Sequence, residues 1–265
     1  MNKLIFYCEI IGCNKIILEK KLYWFIKNKI KIQTKNITIE VKNKKDLKKD
    51  CLHLNTKDIF YYFYKIKPEI RIHYLRNEII RNLPNVKTSK NNLYIHIRSG
   101  DIFQKKIPHI YYTQPPLCFY REILNNYKFN KVYLICEDKS NPIIDKLIYD
   151  YPNIIYENNS FPKHLSLLVN AYNIVSSISS FLYSIIQLNY NLEFLWDYNI
   201  LKTLQKIKYF HYDLYKYPHY NFTIFRMEPS PIYKLLMNNW KNNKKQRKLM
   251  FKEKCINKFF IIQKI

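Results

Sequence analysis

Two kinds of hydrophobic pattern share this chain. Between Leu93 and Leu195, short apolar runs alternate with longer stretches whose apolar residues recur every three or four positions, the signature of strands alternating with helices. Leu93–Ile97, Lys131–Ile135, Ile154–Tyr156, Tyr172–Val175 and Leu192–Leu195 read as strands. Helices are expected through Leu117, Tyr120, Ile123 and Leu124, with Thr113 as cap and Pro115 and Pro116 at the start, and through Ile144, Leu147 and Ile148 after Asn141. Two more are expected over Phe161–Asn170 and Phe181–Leu188. Strand and helix in such regular alternation predict a parallel, doubly wound sheet.

The flanks are less regular. Leu4, Ile5, Cys8 and Ile11 have helical spacing, with Gly12 placed to end the helix, and Lys15–Leu18 and Ile37–Val41 read as strands. Helical stripes follow through Ile59, Tyr62, Phe63 and Ile66, then through Ile70, Tyr74, Leu75, Ile79 and Ile80, with Pro68 between them. Asn82–Asn92, polar and carrying Pro84, reads as the connection between two domains. Near the C-terminus, Ser230 and Pro231 start a helix through Ile232, Leu235, Leu236 and Trp240, and 241–265 is basic and amphipathic, suited to packing on the body or lying on anionic lipid. The expected division is an incomplete α/β domain over 1–86, a second α/β domain with the doubly wound sheet over 87–200, and a helical basic extension over 201–265.

Composition changes this picture in two ways. The 265 residues are 48% hydrophobic, enough for real cores. A formal charge of +25 invites a nucleic-acid reading, but it comes mainly from Lys in a chain also rich in Asn, Ile and Tyr with only two Gly, a mixture that A/T-rich codons produce. The remainder of the charge is available for anions such as phosphates or membrane surfaces. The six cysteines form no Cys-x-x-Cys pair and no zinc pattern. No run of eighteen apolar residues is present, and Met1–Leu18 lacks the cleavage pattern of a signal peptide. Asn-x-Ser/Thr sequons begin at Asn36, Asn158 and Asn221.

Chemistry gathers at the ends of the predicted strands. His96, Arg98 and Asp101 surround Gly100 after the first strand of the regular region, Glu137 and Asp138 follow the second, and Ser176, Ser177, Ser179 and Ser180 follow the fourth. In a parallel sheet these ends converge on one crevice. A serine run ahead of a helix offers hydroxyls and free N–H groups to an anion, and an arginine opposite can hold a phosphate through two parallel hydrogen bonds. The plainer alternatives are a salt-bridged turn after the strand and simple helix caps.

His-Ile-Arg-Ser-Gly-Asp, residues 96–101, resembles the His-x-Arg-x-Gly-Asp motif of the α1,2-fucosyltransferases and their α1,6- and protein O-fucosyltransferase relatives. Ser176–Phe181 resembles their later Ser-Ser/Thr-Phe motif, and Asn2–Ile11 is similar to the helix after their N-terminal glycine-rich loop. The resemblance implies an α/β, GT-B-like fold of two Rossmann-like domains, the N-terminal one incomplete. It implies an inverting, metal-independent transfer of sugar, with GDP-fucose the favoured donor, to a glycan or protein hydroxyl, with no cofactor besides the donor. Carried over, Arg98, His96 and Asp101 are the catalytic set, while Glu137, Asp138, His164, Ser179, Ser180 and Phe181 bind the donor. Ser99 stands where many relatives have a second arginine, and the carboxylate that reads guanine is replaced near His164.

Glu9, Asp101 and Glu137 remain candidates for the acceptor's base, and no Asp-x-Asp metal motif occurs. The competing class is a basic nucleic-acid-binding module, which has the charge and the tyrosines but no module pattern and leaves the strand-end clusters unexplained; nucleic acid is not the expected partner. A third reading is a transferase-like protein that binds nucleotide without turning it over. Met1 falls inside what resembles the helix after the glycine-rich loop, so the expectation is a fragment of a longer product or a degenerate form. A longer precursor implies a Golgi or ER lumen location and a complete chain a cytoplasmic one, and peripheral membrane contact is expected, if anywhere, at the basic C-terminus.

Overall fold

The computed structural model describes residues 15–19, 38–42, Arg76, 80–81, 83–104, Pro108, 112–198, 222–255 and 258–262. The helix expected over residues 2–11, most of the two aromatic helices before Ile80, and Cys8, Glu9, Cys13 and Cys51 lie outside the described residues. The chain divides into two compact units, Met1–Leu83 and Pro84–Ile265. In the first, β1 (Lys15–Glu19) pairs in parallel with β2 (Thr38–Lys42), with Lys15 opposite Thr38 and Glu19 opposite Lys42.

The boundary falls just before Pro84 because the polar stretch that follows is fastened to the second unit. The Pro84 carbonyl accepts from Ser166 Oγ at 2.6 Å, Thr88 Oγ1 donates to the Asn170 carbonyl at 2.8 Å, and Lys90 pairs with Glu193. What reads as a linker in the sequence is the tied-down lead into a strand.

That strand is β3 (Asn92–Ile97), buried at all six positions. It is followed by α1 (Asp101–Gln104), α2 (Leu117–Asn126), β4 (Lys131–Cys136), α3 (Ile143–Asp150), β5 (Ile154–Glu157), α4 (Phe161–Asn170), β6 (Asn173–Val175), α5 (Ser180–Ile186) and β7 (Phe194–Tyr198). The chain then adds β8 (Thr223–Met227), α6 (Pro231–Met237), α7 (Lys244–Lys252) and β9 (Phe260–Ile262). The seven strands lie in the order β5-β4-β3-β6-β7-β8-β9; the first six are parallel and β9 runs antiparallel on the edge. This α/β arrangement is compatible with a Rossmann-like fold. Its order reverses between β3 and β6, and a crevice is expected at such a point.

Alternation along β3 distributes the core. Leu93, Ile95 and Ile97 join one cluster with Phe119 and Ile123 of α2, Ile144 and Leu147 of α3, Tyr233 and Met237 of α6, and Met250 of α7. His96 serves the other face, where its ring lies 5.7 Å from Phe181 of α5, itself 5.4 Å from Phe161 of α4. A strand covered on both faces has to be nearly continuously apolar, as this one is.

Several expected details are corrected. Within 222–262, where a helical extension is expected, β8 and β9 belong to the sheet, and Arg226 of β8 meets its register partner Asp197 of β7 at 3.0 Å in a largely buried ion pair. β7 begins at Phe194 rather than Leu192, and Trp196, expected as its end, lies within it, stacked on Phe225 at 5.3 Å. Thr113 does not cap α2, whose N-cap is Pro116 with no side-chain cap; Thr113 donates to the Met237 carbonyl instead. Ser230 does cap α6, accepting from the Tyr233 N–H at 3.1 Å, but the helix stops at Met237, and Trp240 beyond it donates to the Ile102 carbonyl at 2.9 Å. Among the described residues, no helix is long and apolar enough to cross a membrane.

Cys118 of α2 and Cys255 after α7, 137 positions apart in sequence, form a disulfide with Cα atoms 5.6 Å apart. Closing a loop that long constrains the unfolded chain, and in the chain-entropy account the bond is worth on the order of 3–5 kcal/mol. The double substitution Cys118→Ser/Cys255→Ser is therefore expected to lower the thermal midpoint by several degrees, and a reductant should do the same to the parent. A midpoint indifferent to both would show that the bond contributes nothing in solution.

Candidate functional site

β3 and β6 end side by side, and their last residues are joined by one hydroxyl. Ser177 Oγ accepts from the Arg98 N–H at 2.8 Å and lies 3.2 Å from His96 Nδ1, while the Ser177 N–H donates to the His96 carbonyl at 3.1 Å. The motif after β3 and the serine run after β6 therefore meet at the reversal of the strand order. His96 is buried. Burial first, then the charges of Arg98 and His164, hold its pKa down at about 3, so the ring is neutral at ordinary pH.

Arg98 is the cation of the site and is already engaged. Its guanidinium pairs with Glu137 through Nη1 and with Asp101 through Nη2, the latter at 2.6 Å, and lies 5.8 Å from the Tyr112 ring centre. Its Nε is buried with no hydrogen-bond partner. Burial raises the pKa of Glu137 and Arg98 opposes the rise; Asp101 and Asp138 reinforce it, and the balance is upward.

Asp138 has a different occupation. Its Oδ1 accepts from Ser99 Oγ at 2.6 Å, Ser140 Oγ at 2.6 Å, the Ser140 N–H at 2.8 Å and the Gly100 N–H at 3.1 Å, and its Oδ2 accepts from Gln104 Nε2 at 2.7 Å. Burial works against the charge, but the serine hydroxyls and the two N–H groups outweigh it and hold the pKa at about 2. Asn141 completes the joint, donating from Nδ2 to the Arg98 carbonyl at 3.0 Å while its N–H donates to Ser99 Oγ at 3.0 Å. Asp138 thus locks the loop after β3 to the loop after β4.

Gly100 sits in that joint at φ +58°, and a Cβ there would collide with Glu137 Oε2. The left-handed backbone favours glycine here, and a methyl would have to push the Glu137 side chain aside.

The serines after β6 are largely spent on the protein. Ser176 Oγ donates to the Ser177 carbonyl at 2.9 Å and Ser179 Oγ accepts from the Leu182 N–H at 3.4 Å, so Ser179 caps α5, whose first residue is Ser180. Phe181 packs against His96 and Phe161. His164 is on α4, its Nε2 2.8 Å from the Glu157 carbonyl and its pKa lowered by burial. Sequence reasoning passed over Glu157, a buried carboxylate at the end of β5 that bonds Asn159 and lies 3.6 Å from Lys163. It also gave Ser177 no role of its own. The signal for both was their place at a strand's carboxyl end. Among the described residues, no three His, Cys, Asp or Glu side chains gather to hold a metal ion.

No protein-family model, curated protein or solved structure matches this chain. What the site can do is therefore read from its own geometry: a guanidinium held in place by two carboxylates, an unpartnered buried N–H on that same guanidinium, and a neutral histidine beside it.

Two outcomes are expected. Gly100→Ala should cost roughly 1–2 kcal/mol for the backbone conformation alone and more in full, because the methyl drives Glu137 off Arg98. In a Glu137→Ala background the cost should fall back to the backbone part, as denaturant unfolding of the four proteins would reveal; a Gly100→Ala protein as stable as the parent contradicts the geometry. For His96, the folded pKa of about 3 lies below the unfolded value of 6.5, so the unfolded chain binds the extra proton between those values. Stability is complete above pH 6.5 and declines as pH falls toward 3, by up to about 1.4 kcal/mol per pH unit for this group. His96→Gln should remove that part of the slope in unfolding measured across the range.

Proposed function

We propose that the protein is a nucleoside-diphosphate-sugar-dependent glycosyltransferase of GT-B type, fucosyltransferase-like, with GDP-fucose the favoured donor and a glycan or protein hydroxyl the acceptor. The second unit is its donor-binding domain. The observation that carries this reading is the junction of the His96–Asp101 loop with the serine loop through Ser177, where the strand order reverses and Arg98 stands as the cation.

The chemistry asked of the site is stabilisation of a leaving diphosphate. Charge builds on the β-phosphate as the sugar–oxygen bond breaks, and a fixed guanidinium meets it at no cost of reorganisation. A phosphate presents the same paired acceptor oxygens as the carboxylates that Arg98 now holds. Glu137 is the partner that gives way, because burial and two neighbouring carboxylates already disfavour its ionised form. The buried Arg98 Nε supplies a further donor that an anion in the crevice would satisfy. In an inverting transfer the acceptor attacks from the face of the sugar opposite the departing phosphate, so Glu137, displaced beside that phosphate, is the anion the donor replaces rather than the acceptor's base. His96, neutral and fastened to Ser177, lines the donor site and keeps Arg98 in register with the serine loop.

The deciding measurement is thermal stabilisation by a panel of nucleoside diphosphates. GDP at 100 times its dissociation constant should add about 2.7 kcal/mol, and the monophosphate less. Arg98→Lys should lose nearly as much as Arg98→Ala, since a point charge cannot reproduce the planar fork. Glu137→Gln should bind the diphosphate more tightly, since the competing carboxylate charge is gone. If no nucleoside diphosphate at millimolar concentration moves the midpoint, the donor site is misassigned.

A further inference from the structure

The C-terminal helices carry a surface that the proposed chemistry does not use. α6 buries Tyr233 and Met237 on one side and exposes Ile232, Leu235 and Leu236 on the other, Leu235 at 76% of its full surface. The spacing of those three residues makes a continuous apolar strip on the helix. α7 buries Gln246 and Met250 and leaves Lys244, Lys245, Lys248, Phe251 and Lys252 exposed. Single exposed apolar residues are ordinary, but a strip of them beside a lysine row is not.

Charge identifies what such a surface fits. From Pro231 to Lys252 there are seven basic residues, Lys234, Lys241, Lys244, Lys245, Arg247, Lys248 and Lys252, and no Asp or Glu. Elsewhere the sheet unit mixes its signs: between Lys131 and Glu157 stand Glu137, Asp138, Asp145, Asp150 and Glu157. Codon bias enriches lysine everywhere and does not by itself clear acids from one pair of helices.

The two helices are also held firmly from behind, so the strip cannot simply fold inward. Tyr233 OH donates to the Gln114 carbonyl at 2.7 Å, Asn242 Nδ2 and Arg247 Nη2 both donate to the Phe103 carbonyl, at 2.6 and 3.0 Å, and Cys255 is bonded to Cys118. Gln246 Nε2 bridges to the Asn239 carbonyl at 2.8 Å and fixes α7 against the end of α6.

From the apolar strip of α6 and the acid-free lysine row of α7 we infer that this face docks on an anionic lipid surface, with Leu235 and its neighbours entering the headgroup boundary and the lysines meeting lipid phosphates and carboxylates. This is independent of the transferase reading. Apolar insertion together with a basic patch is the pair of signals that reversible membrane attachment needs.

The test is co-sedimentation of the full chain with phosphatidylcholine vesicles, with and without phosphatidylserine, at physiological salt. Binding is expected only with phosphatidylserine. Alanine at Lys244, Lys245 and Lys248 should weaken it by about fivefold for each lysine that lies at the surface. Leu235→Glu should abolish it while leaving the thermal midpoint unchanged, because the side chain is exposed. No sedimentation with phosphatidylserine vesicles overturns the inference, as does binding that survives both sets of substitution. It is equally overturned if the same substitutions abolish binding to single-stranded RNA, or disperse a dimer seen in sedimentation velocity, while vesicles are never bound.

Discussion

The second unit is governed by the complete burial of β3. A strand covered on both faces and paired on both edges has no water along its length, so every polar group where it ends must be satisfied by the loops it runs into. That requirement explains the density of the network after Ile97. Ser177 answers the Arg98 N–H, Asn141 answers the Arg98 carbonyl, and Asp138 gathers Ser99, Gly100, Gln104 and Ser140. Three loops are thereby made one rigid piece. The left-handed turn at Gly100 is the point at which the chain leaves this piece for α1.

Rigidity of this kind has an electrostatic consequence. Two carboxylates, Asp101 and Glu137, pair with one guanidinium, and a third, Asp138, acts electrostatically on Glu137. Asp138 is stabilised by so many donors that its charge is permanent in practice, whereas Glu137 is left half-exposed and disfavoured as an anion. The charges are therefore unequal in mobility: one is fixed by the scaffold and another is free to be exchanged for a ligand anion. An incoming diphosphate that displaced Asp138 would have to dismantle the joint between β3 and β4, while displacing Glu137 costs one ion pair at the surface, a contact of modest worth.

Much of this was legible in the sequence, and the reasons differ by region. The strands from Leu93 to Val175 and the helix over Phe161–Asn170 stood out because parallel sheets demand apolar runs and amphipathic helices in turn. The convergence of His96 and Arg98 with the serine run followed from the strand-end rule. What failed to show was pairwise and non-local. β8 contains Arg226 in a short run of mixed polarity, and its membership of the sheet depends on a partner, Asp197, twenty-nine positions earlier. Thr113 looked like a cap because its neighbours are prolines, yet its hydroxyl is used 124 residues away. The disulfide was equally invisible, since spacing says nothing about which cysteines α2 and the segment after α7 bring together. Among the serines that the sequence offers to a ligand, Ser176 and Ser179 also serve loop-tying and local capping.

The C-terminal segment ties these two scales together. Ile102 and Phe103 lie immediately after the Arg98–Asp101 turn, and their carbonyls accept from Trp240, Asn242 and Arg247, while the Phe103 ring meets Trp240 edge-on at 5.3 Å. Residues some 140 positions downstream therefore set the exit path of the loop that carries Arg98. Any force applied to the outer face of α6 and α7 is borne on their inner side by these same hydrogen bonds. Trp240, Asn242 and Arg247 thus fix α1, and with it the exit of the Arg98–Asp101 turn, through the buried contacts they make with Ile102 and Phe103.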